Sequence, residues 1–136
     1  MDRHIGVWID HKRAHVIWYE DGRVDVISSN LEPPAHYSGG TQLGGKLNQK
    51  GDLELHHSDR YRAQLGKFYR QVVAALRDAD SIFVMGPGEA KIEFGKALKK
   101  HKALQKRLVK VETADKMTKN QMIARVKKFY KNQASV

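Results

Sequence analysis

The residues able to do chemistry in this 136-residue chain are scattered rather than gathered into one motif. Asp10 closes an apolar, strand-like run, a position suited to the first carboxylate of a two-metal phosphodiesterase. That chemistry needs several acids converging on two metal ions. The later apolar run ends Val84-Met85-Gly86 with no acid, leaving only Glu89 and Glu112 as substitutes, so Asp10 reads instead as a turn residue capping the first hairpin. His56-His57 with Asp59 has the residue types of a metal site but not the spacing. Adjacent side chains point to opposite faces of a strand and diverge by about 100° on a helix. No nucleophile elbow is present, and Gly86-Pro87-Gly88 lacks the Lys-Ser/Thr pair of a phosphate-binding loop. No catalytic residue, no metal ligand and no cofactor is assigned on this basis.

Two other features point to anions. Gly86-Pro87-Gly88 with Lys91 opens a helical pattern, and free amides at a helix start attract negative charge. The larger signal is charge asymmetry. The net charge is +10, yet residues 1–90 carry 11 Lys/Arg against 12 Asp/Glu, and residues 91–136 carry 14 against 3. A basic surface so concentrated predicts a polyanion partner. The candidate contacts are Lys96, Lys99, Lys100, Lys102, Lys106, Arg107, Arg125 and Lys128. Phe94, Phe129 and Tyr130 are the aromatic residues interleaved with them, and two of the three are expected to face the core. Without a stacking platform, such a lobe suits the backbone and shape of structured RNA better than single-strand base reading.

The elements that must position these groups follow from periodicity. Residues 5–10, 14–19 and 23–28 alternate as three strands, with Asp21-Gly22 as a hairpin turn, so the opening is an antiparallel meander. From about residue 30 to 54 the periodicity disappears into a glycine-rich loop. Tyr61, Leu65, Phe68, Val72 and Leu76 then form one stripe of a helix over about 58–78, with Ser58 as its cap. Residues 81–86 are continuously apolar, which predicts a strand buried on both faces. A helix over 89–101 and a strand over 108–111 follow. Thr118 with Gln121 forms a capping box, and Met117 with Met122 a hydrophobic staple, at the start of the last helix. One domain spanning 1–136 is expected. It is an α/β, ribonuclease-H-like, three-layer fold with a five-stranded mixed sheet in the order 3-2-1-4-5 and helices on both faces. No cysteine and no long apolar run occur, which predicts a soluble, cytoplasmic chain with no membrane partner.

A Gly-Gly loop before a long helix, followed by Gly86-Pro87-Gly88-x-x-Lys91 after the fourth strand, resembles the middle domain of archaeal and eukaryotic class I peptide-chain release factors. It is also similar to the middle domain of Pelota, the ribosome-rescue relative. The resemblance runs from Ile5 to about Tyr130. It implies a stand-alone, translation-associated domain that contacts ribosomal RNA or tRNA through the basic lobe and the loop residues Gly39, Gly40, Thr41, Gln42 and Lys46. Release factors carry Gly-Gly-Gln at the loop tip, whereas this chain places Thr41 between Gly40 and Gln42. The expectation is therefore a non-enzymatic RNA-binding domain. The alternatives are a peptidyl-tRNA hydrolase using Gln42, a ribonuclease-H-like nuclease using Asp10, and a structural homodimer joined through a sheet edge.

Overall fold

The computed structural model describes residues 3–30 and 50–134, apart from the side chains of residues 50–58 and 134. Its elements are β1 (His4–Ile9), β2 (Arg13–Trp18), β3 (Val24–Ser28), α1 (Lys50–Ala75), β4 (Ser81–Gly86), α2 (Ala90–Lys99), α3 (Lys102–Gln105), β5 (Leu108–Thr113) and α4 (Lys119–Ala134). The sheet runs β3-β2-β1-β4-β5. Strands β1, β2 and β3 pair antiparallel, while β4 lies parallel to both β1 and β5. Val7 stands opposite Val16 on one side and Val84 on the other. The order, strand directions and α/β class are those the sequence predicts.

Alternation along β1 divides the core into two layers. Ile5, Val7 and Ile9 pack with Leu65, Phe68 and Val72 from α1, Leu76 from the turn after it, and Phe94 and Leu98 from α2. Trp8 faces the other way and packs with Phe83, Met85, Met122, Val126 and Tyr130 beneath α4. The central strand β4 serves both layers, which is why Ile82 to Met85 are apolar without interruption and fully buried.

Local chemistry explains most boundaries. Asp10 Oδ1 accepts from the amides of Lys12 and Arg13, each at 2.8 Å, and so closes the first hairpin as a capping turn. Thr118 and Gln121 form the predicted capping box reciprocally, at 2.8 and 3.1 Å.

Four boundaries differ from expectation. Helix α1 starts at Lys50, so residues 50–54 are helical and Ser58 lies inside the helix rather than capping it. Gly51 is a local loop signal and costs about 1 kcal/mol against alanine in a helix, yet the helix runs through it. At its other end α1 stops at Ala75 and tightens, with the Leu76 amide on the Val73 carbonyl and the Ala79 amide on the Leu76 carbonyl. Helix α2 ends at Lys99, and a separate single turn, α3, begins at Lys102 and buries Leu104. Strand β5 continues to Thr113 and carries a bulge: Ile82 pairs with Leu108, but Phe83 pairs with Lys110. Val109 is thus left over and half-exposed, at 49%. No described helix is long and apolar enough to cross a membrane.

Candidate nucleic-acid interface

The two groups of anion-binding candidates sit at opposite ends of the sheet. The Gly86-Pro87-Gly88 turn lies at the carboxyl end of β4, beside the start of α2. Helix α2 then carries the chain back, so Lys99, Lys100, Lys102, Lys106 and Arg107 lie near the amino ends of the parallel strands. A six-residue strand rises by roughly 20 Å, which sets the scale of their separation.

At the carboxyl end, Gly86 has φ +155° and Gly88 φ +63°. The Gly86 carbonyl accepts from the Ala114 amide at 3.0 Å, tying the turn to the loop after β5. Lys91 is buried, at 7% exposure, and its ammonium donates to the Gly88 carbonyl. The lysine that looked free in the sequence is therefore committed to holding the turn closed.

At the amino end, Lys96, Lys99, Lys100, Lys102 and Lys106 are exposed. Arg107 differs from them: its guanidinium donates to the carbonyls of Ala79 at 2.7 Å and Arg77 at 3.3 Å, fastening the end of α1 to the start of β5. The folded chain adds two cations that no local pattern announced. Arg70 from α1 and Arg77 from the turn after it, with His101, line a depression of about 610 Å³ beside the lobe, together with Val73, Ala74 and Leu104. Both arginines precede the basic third of the sequence, and the core cluster that joins Val73, Leu98 and Leu104 brings them beside it. Asp78 at the rim is paired with Arg3 at 3.4 Å.

The remaining candidates are dispersed. Lys128 is exposed on α4, on the other face of the sheet. Arg125 is paired with Glu112, which also accepts from Lys110 at 3.2 Å. Gly39, Gly40, Thr41, Gln42 and Lys46 lie outside the described residues.

The geometry bears on the catalytic alternatives as well. Asp10 is occupied by two backbone amides, and Glu112 by two cations. Among the described residues no group of three or more His, Asp or Glu could hold a metal ion. One polar cluster escaped the sequence reading. Glu93 Oε1 accepts from the Tyr69 hydroxyl at 2.6 Å and lies 3.2 Å from His11 Nε2, with Tyr61 edge-on to His11. Burial first, and then the Glu93 carboxylate, pushes the Tyr69 phenol well up. A phenol so held stays neutral and donates, which makes it a strut between α1 and α2 rather than a base.

No protein-family model matches the chain, and no curated protein matches it. Among solved structures it is similar to the archaeal translation termination factor aRF1, at 15% identity and a TM-score of 0.46. The similarity covers 98% of this chain and 41% of that one, so the chain spans less than half the length of the termination factor. At this identity and score the likeness carries no assignment of activity or partner.

Proposed function

We propose that the protein is a non-enzymatic, translation-associated domain that binds structured RNA, ribosomal RNA or tRNA, through the basic lobe at the amino end of its sheet. The observation that carries this reading is the convergence of exposed cations from separate elements on one surface. Arg70 comes from α1 and Arg77 from the turn after it, Lys99 and Lys100 from the end of α2, and Lys102 and Lys106 from α3 and its exit. A face dominated by cations, with Asp78 at the rim paired to Arg3, favours a polyanion. The translation setting rests on the motif resemblance around Gly86-Pro87-Gly88 and Lys91, and the Thr41 insertion before Gln42 argues against peptidyl-tRNA hydrolysis.

The test is binding to ribosomes and to a structured RNA across a salt series, for the wild type and for a Lys99→Gln, Lys100→Gln, Lys102→Gln triple variant. Each lost phosphate contact flattens the log–log salt slope by about 0.7–0.9 units. The variant is expected to bind every RNA sequence more weakly and with a flatter slope, since phosphate contacts position without specifying. Arg107 is left in place because its removal would also release the end of α1. A folded variant with unchanged affinity and slope overturns the proposal.

A further inference from the structure

Strand β5 closes the sheet on one side, and its outer edge is unpaired. Among the described residues its backbone bonds to β4 alone. The Ala114 amide fixes which groups face out, because it bonds inward to the Gly86 carbonyl at 3.0 Å. Inward and outward backbone groups alternate along a strand. Lys110 and Glu112 therefore bond inward with Ala114, while Val111 and Thr113 turn their N–H and C=O outward. Both of the outward residues are exposed.

The two faces beside this edge differ in chemistry. Toward α2 the edge is apolar. A Cβ on Gly95 would lie 3.5 Å from Val111 Cγ2, so α2 packs close against Val111. Ile92 stands one turn earlier on that side of α2 and is 42% exposed. Val109, set loose by the bulge, is exposed as well. Of the four large apolar side chains exposed among the described residues, these two and Val111 share this edge. Toward α4 the edge is cationic. Glu112 pairs with both Lys110 and Arg125, one carboxylate between two cations. Lys128 is exposed one turn beyond Arg125 on α4.

A strand laid beside β5 would send alternate side chains to these two faces. One set would meet Ile92 and Val111, and the other Lys110, Arg125 and Lys128. An RNA would use the cations and leave the apolar side chains and the outward backbone groups wet. A second copy of this chain fits poorly. Antiparallel pairing about a two-fold axis puts both α4 helices on one face, so two sets of these cations would meet.

We propose that the β5 edge takes a strand from an acidic partner protein, an extended segment in which apolar residues alternate with Asp or Glu. Main-chain hydrogen bonds to Val111 and Thr113 supply affinity, and the two unlike faces supply specificity. The edge is distinct from Lys99, Lys100 and Lys102 of the amino-end lobe, so RNA binding there and strand binding here succeed or fail separately.

The experiment titrates the full chain with a synthetic octapeptide alternating Val and Glu, and with its Val–Lys counterpart, read by calorimetry and amide hydrogen exchange. The Val–Glu peptide is expected to bind at least about tenfold more tightly than the Val–Lys peptide, because the cations of the edge attract one and repel the other. It should also slow exchange at the Val111 and Thr113 amides. Thr113→Pro removes one outward N–H and no inward one, a change that an edge strand tolerates. It should lose at least about tenfold in peptide affinity. A Lys110→Gln, Lys128→Gln double variant leaves the backbone untouched and should lose a similar factor. The Lys99→Gln, Lys100→Gln, Lys102→Gln variant should bind the peptide as the wild type does. The proposal is overturned if the Val–Glu peptide binds no better than the Val–Lys peptide, if exchange at Val111 and Thr113 is unchanged, or if the folded double variant keeps full affinity. Sedimentation showing a dimer that Thr113→Pro dissociates would assign the edge to a second copy and overturn it too. Protection of the same two amides by a structured RNA in place of the peptide would do likewise.

Discussion

Replacing Gly86 by alanine tests how the carboxyl end of the sheet is built, and Gly88→Ala is its internal control. Both glycines have positive φ, +155° and +63°. A Cβ on Gly86 would stand 2.1 Å from the Ile9 carbonyl oxygen and 3.1 Å from the Ile9 carbonyl carbon. Those atoms are backbone in β1, the strand that pairs with β4, so they cannot swing aside as a side-chain tip could. A non-glycine residue in sparsely populated backbone space costs about 1–3 kcal/mol. Forcing an extra methyl into a packed site costs about 1–3 kcal/mol more. Gly86→Ala is thus expected to lose about 2–6 kcal/mol, a large share of a domain's total of about 5–15 kcal/mol. At Gly88 an added Cβ meets nothing within 4 Å. Only the left-handed backbone penalty remains there, about 1–2 kcal/mol. Urea denaturation followed by circular dichroism measures both variants. If Gly86→Ala costs no more than Gly88→Ala, the contact between the turn and β1 is not what demands glycine, and the reasoning fails.

Two further predictions concern buried polar groups. The Tyr130 hydroxyl donates to the Ile5 carbonyl at 2.7 Å, joining α4 to β1, so Tyr130→Phe should cost about 1–2 kcal/mol in the same assay; an unchanged midpoint would show the bond adds nothing. His15 is held below its ordinary value of about 6.5 by burial, then Arg13 and Lys119, with Asp10 opposing. The unfolded chain then binds the proton more readily, so this contribution is complete above pH 6.5 and fades as pH falls through the lower folded value. The stability gap between wild type and His15→Gln should therefore narrow on acidification from pH 7.5 to 5, and a gap that widens would reverse the assignment.

Much of the fold was legible because it is written in short-range periodicity. Alternation in β1 and β2, the unbroken apolar run of β4, the stripes of α1 and α4, and the Thr118–Gln121 box each depend on residues within a few positions of one another. The parallel pairing of β4 with β1 followed from chain connectivity, since a long helix must intervene. The start of α1 was misjudged because Gly51 is a loop signal locally, and the helix nevertheless runs through it. Turn α3 went unseen because a single turn has no period to detect.

What the sequence determined alone about the candidate sites was residue type and approximate charge: a basic last third, a glycine turn, and no complete catalytic set. Tertiary structure decided which cations stand together and which are already paired. It occupied Lys91 with the Gly88 carbonyl, Arg107 with Ala79, and Arg125 with Glu112. It brought Arg70 and Arg77 to the lobe. A charge is a property of its residue, but whether that charge is spent or free depends on what the fold packs beside it.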